Sequence, residues 1–187
     1  MRIASLCCAN RLLFNPDKTK FCVFGSSQML KRTIIPSITF LGKELATMAS
    51  VKDLGIVLDN HLSFNEHISI LVSDLMGKLC MVNRVRHLLD QYTLLIVINC
   101  LVFSKLFYCS SVRSGTSKGN VAKLQLVQNF AARILSDKSK FDHITPTLKE
   151  LNLLPIFERP RFIFDDPQFF WSRKINTDLY YNWYATQ

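Results

Sequence analysis

The sequence predicts an α+β chain, with a small β-rich unit at the N-terminus followed by a helical bundle. Three observations carry that reading. Residues 20–59 hold short apolar runs broken by Gly, Pro and Asp, the punctuation of strands and turns. From Ser63 onward, apolar residues recur at three- and four-residue spacing, the period of helices. Finally, 187 residues of which 49% are hydrophobic suffice to bury a core in one or two small domains.

Asn15-Pro16-Asp17 is turn chemistry, since proline fixes φ and the flanking Asn and Asp can satisfy nearby backbone groups. The run Lys20 to Gly25, with Phe21, Cys22, Val23 and Phe24, is short and aromatic and predicts a buried strand. Ser26 to Pro36 is polar and basic and reads as a loop. Gly42-Lys43 between Ile38–Leu41 and Glu44–Thr47 reads as a two-residue hairpin turn. Val51 to Asp59 alternates and predicts one strand, with Gly55 marking a bulge or a close approach.

Ser63-Phe64-Asn65-Glu66 matches a capping box, in which serine takes an orphan N–H and Glu66 reaches back. Ile68, Leu71, Val72, Leu75, Leu79 and Val82 then form a helical stripe, and Lys78, Arg84, Arg86 and His87 give that helix a basic end. Asp90 caps a second helix to about Tyr108, apolar nearly all round and so expected at the centre of the bundle. After the polar break Gly115 to Gly119, a third helix carries Val121, Leu124, Val127, Phe130, Ala131 and Ile134, with Lys123 and Arg133 off the stripe. Thr145-Pro146, a cap with proline at the first helical position, opens a short helix through Leu151. The tail from Arg159 is rich in aromatics without a clean period.

A net charge of +9 and a pI near 9.4 favour an anionic partner, most simply nucleic acid. Cys7, Cys8, Cys22, Cys80, Cys100 and Cys109 are scattered and show no C-x-x-C, so they read as reduced core cysteines of an intracellular protein. MRIASLCCAN is at the short limit for a signal-peptide core, and Leu94 to Phe103 is well short of the roughly 20 residues of a bilayer crossing. No membrane contact is expected, and no clear basic import run fixes a compartment.

Taken in order, several strings resemble the reverse transcriptase of non-LTR (LINE-type) retrotransposons, downstream of that enzyme's catalytic aspartates. They are CCANRLLFNPDKTKFCVFG from Cys7, KDLGIVLD from Lys52, His67-Ile68, RVRHL from Arg84, LVFSKLFYC from Leu101, and HITPTLKELNLLP from His143. The resemblance covers residues 6–158; Leu6 and Arg113 stand where the family has tryptophan. It implies a palm remnant over 1–60 (the motif D turn and a primer-grip-like strand), a helical thumb-like bundle over 61–115, a downstream helical segment over 116–158, and a divergent tail over 159–187.

The resemblance also implies a function divided from its chemistry. The family's Y/F-x-D-D carboxylates, which hold two metal ions, would precede Met1, so the chain alone is expected not to polymerise; Mg2+ belongs to an intact parent only. Ile163-Phe164-Asp165-Asp166-Pro167 imitates that motif but lies at the wrong end and runs into a proline. Lys18 stands where a lysine of related polymerases is thought to protonate pyrophosphate. Lys20, the Leu54-Gly55 pair, Lys78, Arg84, Arg86 and Lys105 are the candidate contacts to an RNA/DNA template–primer, and scarcely any acids lie between Gly77 and Leu89. Asp59 reads as a strand-end or turn residue, and His61, His67, His87 and His143 as packing or capping residues. The alternatives are a non-enzymatic protein-interaction module, using the apolar helices, and a translated relic without a role.

Overall fold

The structure, a computed structural model, describes residues 6–7, 9–11, 15–35 and 37–158. It is α+β, with short antiparallel strands preceding the longer helices. Two compact units divide it, one ending at His67 and the other beginning at Ile68.

In the first unit Leu6, Cys7 and Ala9 are helical, and the Asn15 turn forms as its residues dictate. Asp17 N–H donates to Asn15 Oδ1 at 2.9 Å, and Lys18 and Thr19 N–H donate to the Asn15 carbonyl. Residues 21–25 do not form the expected strand; a single bridge joins Phe21 to Thr47. Ser26 to Pro36 is not all loop. Ser26 Oγ accepts from Met29 N–H and caps a short helix, α1 (Ser27–Arg32).

Two hairpins follow. Strands β1 (Ile38–Phe40) and β2 (Lys43–Leu45) pair antiparallel, as do β3 (Ser50–Asp53) and β4 (Ile56–Asp59). The first turn is Leu41-Gly42, one residue earlier than expected. The expected single strand 51–59 is instead folded back on itself at Leu54-Gly55. Both turns hold positive φ at both central residues, 50° and 81° in the first, 43° and 86° in the second. That geometry matches the right-handed twist of paired strands, and glycine takes the second position in each at no steric cost.

Asp59 closes the unit. Its carboxylate accepts Ser63 N–H at 3.0 Å and Phe64 N–H at 2.8 Å, while Asn65 N–H donates to Ser63 Oγ at 3.4 Å. The predicted cap therefore draws on an aspartate four residues upstream as well as on Ser63. It starts helix α2 (Asn65–Val85).

In the second unit the α2 stripe buries Ile68, Leu75, Leu79 and Val82, and a 3-10 turn (Arg86–Leu88) ends the run. Asp90 caps helix α3 (Gln91–Ile98) through Thr93 N–H at 3.0 Å. The helix then widens to a π segment (Asn99–Phe103) and closes as α4 (Ser104–Phe107). Leu94, Ile98, Val102, Phe103 and Leu106 are buried, but Tyr92, Leu101 and Tyr108 are exposed, so this helix is not covered all round as expected. Helix α5 (Lys118–Ser136), capped by Ser117, packs against α3 and against α6 (Ile144–Glu150). The N-cap of α6 is His143, which leaves Pro146 in the first turn. Proline is tolerated there because first-turn N–H groups have no partner four residues back.

Buried polar groups on α5 organise this unit. Gln128 Nε2 donates to the Leu154 carbonyl at 2.9 Å, Gln125 Nε2 to Gln128 Oε1 at 2.8 Å, and Ile156 N–H to Gln125 Oε1 at 2.9 Å. The segment after α6 is thereby laid back across α5.

Two stability predictions follow from these bonds. Gln128→Ala leaves the Leu154 carbonyl without its donor and is expected to cost about 1–3 kcal/mol in urea unfolding. Asp59→Ala is expected to cost about 1–2 kcal/mol. Burial pushes the Asp59 carboxyl up, but the Ser63 and Phe64 N–H donors outweigh it, and its folded pKa lies below 3.8. Its contribution is therefore complete above that value and lost as pH falls through the lower folded one, so parent and variant midpoints should converge only in strong acid.

Candidate nucleic-acid interface

The expected cationic set is brought together in part. Helix α2 places Lys78 one turn after Asp74, and the two pair at 2.7 Å; Lys105, on α4, reaches the same carboxylate oxygen at 3.2 Å. Two ammonium groups thus converge on one acid, leaving the cluster net positive. Asp74 is held below the usual carboxylate range by the hydrogen bond from Lys78, which outweighs the opposing burial, and further by Lys105. Exposure keeps each bond weak in stability terms.

Arg84 is exposed at the end of α2 and has no ion pair among the described residues. Arg86 is committed elsewhere. It pairs at 2.7 Å with Asp137, the left-handed C-cap residue of α5, in line with the Gln91 bond to the Leu135 carbonyl nearby. That pair ties the 3-10 turn to the end of α5, which is a structural task.

In the first unit Lys18 and Lys20 are exposed around the Asn15 turn. The acid of that turn, Asp17, is engaged by Lys43 at 2.6 Å, and this bond lowers its pKa. Leu54 and Gly55 are corrected from strand to hairpin tip, where Leu54 is 81% exposed. A type I′ reversal, permitted by Gly55, replaces the extended primer-grip-like path. Asp59 caps a helix start rather than joining other acids. His61 Nδ1 lies 3.0 Å from the Gly25 carbonyl, and Val57 N–H donates to His67 Nδ1, both local packing roles. His87 and His143 are exposed.

Asp165 and Asp166 lie outside the described residues. Among the described residues no group of three or more Asp, Glu, His or Cys side chains stands where it could hold a metal ion. Of the expected core cysteines, the described ones are free but not in the core: Cys80 and Cys100 are exposed and Cys7, Cys22 and Cys109 half-buried, while Cys8 lies outside the described residues. Asp74 escaped attention in the sequence although its spacing to Lys78, four residues on one helix face, was the available signal. Among the described residues no helix is long and apolar enough to cross a membrane.

Comparison with protein-family models, curated proteins and solved structures gives no match to the chain.

If the lysine pair meets phosphate, Asp74 competes with it. Asp74→Asn is expected to tighten duplex binding and to steepen the plot of log affinity against log salt by about one unit, as one more phosphate is neutralised. Its urea midpoint should move by no more than about 1 kcal/mol equivalent.

Proposed function

We propose that the chain is the C-terminal part of a LINE-type reverse transcriptase, the end of the palm with the thumb, which grips template–primer without polymerising. The observation that carries the reading is the convergence of Lys78 and Lys105, 31 residues from Asp74 along the chain, with Arg84 exposed on the same α2 helix. The ordered strings from Cys7 to Pro155 support nucleic acid as the anion.

Phosphate contacts of this kind fix position and carry no sequence information. Binding arises from release of counterions as ammonium and guanidinium groups neutralise the backbone. Lys18 keeps its proposed role as a proton donor in an intact parent only. Arg86 leaves the contact set because Asp137 already holds it.

Fluorescence anisotropy on an RNA–DNA primer–template tests this. Affinity should fall steeply between low and physiological salt, and Arg84→Ala should weaken binding and reduce the salt slope by about one unit. Salt-independent binding, or none, would refute the reading.

A further inference from the structure

The second unit contains a cavity of about 290 Å³ whose lining includes none of Lys78, Arg84, Arg86 and Lys105. Leu106 at the end of α4, Leu124 on α5, and Ile156, held in place by Gln125, supply its apolar walls. Among the polar side chains that also line it, Arg113 is buried, only 3% exposed. Arg113 Nη2 donates to the carbonyls of Leu106 at 2.8 Å and Tyr108 at 3.2 Å, which closes the end of α4. The rest of the guanidinium is spare: Nε and Nη1 are buried with no hydrogen-bond partner among the described residues.

A buried cation with unused donors is costly in a low-dielectric site, and the cost is removed by an anion placed against it. Burial pushes the Arg113 guanidinium below its ordinary value, with nearby Cys109 opposing. The surroundings add attraction for negative charge. Lys118 also lines the cavity, in the first turn of the 19-residue helix α5, where the helix dipole is positive. The apolar walls suit a hydrocarbon body, and the volume, near the lower limit of about 300 Å³ for small-molecule sites, restricts it to a short one.

We propose that this cavity binds a small organic anion, a carboxylate or phosphate group on a short apolar body. The anionic group meets Arg113 and Lys118, and the body lies against Leu106, Leu124 and Ile156. Nothing in this assignment depends on the nucleic-acid reading, because the residues are different.

The test titrates the whole chain by calorimetry with benzoate and with phenyl phosphate, using benzamide as the uncharged control. At least one anion should bind ten-fold or more tightly than benzamide and shift the Arg113 Nε–H resonance in ¹H–¹⁵N spectra. The tighter anion identifies the class. Val121→Phe, which fills the cavity from α5 and leaves Arg113 in place, should weaken that binding at least ten-fold, as should Arg113→Gln. The proposal is overturned if neither anion surpasses benzamide, if Val121→Phe leaves anion binding intact, or if a folded Arg113→Gln variant binds like the parent. Should Arg113→Gln fail to fold, Val121→Phe decides the matter alone.

Discussion

Gln128 is fully buried on a helix face made mostly of Leu, Val, Ala and Ile, and its amide donates to the carbonyl of Leu154. A primary amide in such a place is tolerable only when both its ends are engaged. Gln125 engages the other end and in turn accepts from Ile156, so the bonds bracket a short stretch of backbone. Leu153 is thereby buried, and Ile156 becomes a wall of the cavity. The helical unit could have sealed this seam with hydrocarbon. Using amides instead fixes one register for the returning segment, because a slip by one residue would leave several polar groups unpaired together.

The first unit is held by other means. Its buried apolar side chains among the described residues are Ile56 and Phe64. Two-stranded hairpins are marginal by themselves. Cohesion comes from backbone bonds that cross between segments: Met48 N–H to the Phe21 carbonyl, Gly25 N–H to Asn60, and Asn60 N–H to Ala49. The Lys43–Asp17 pair adds a tether between the second hairpin strand and the Asn15 turn. Such a unit relies on polar geometry more than on core volume.

These differences explain what could be read from the residues. Caps and stripes were legible, as at Ser63, Asp90, and the α2 and α5 faces, because each is set within one or two turns of helix. The Leu54-Gly55 reversal was not, since alternation continues across it in sequence and leucine rarely accepts positive φ. Helix α1 was hidden by a basic, polar composition that marks loops as readily as short capped helices. At the candidate site, the i,i+4 pair of Asp74 and Lys78 was readable in principle. The arrival of Lys105 and the capture of Arg86 by Asp137 were not, because both are tertiary. Arg113 drew notice only as a departure from a resemblance; its burial depends on segments more than forty residues apart in sequence, Leu106 and Ile156 among them.

The wide turn at Asn99–Phe103 has an effect beyond its own length. Ile98 and Phe103, five residues apart, are both buried, which a 3.6-residue repeat would not align. Each residue of an α-helix rotates the chain by about 100°, so the extra residue turns everything after it, including the ammonium that meets Asp74. The address of that charge is written in the number of peptide units rather than in the identity of any side chain. Losing one unit from this stretch would relocate a positive charge without substituting it.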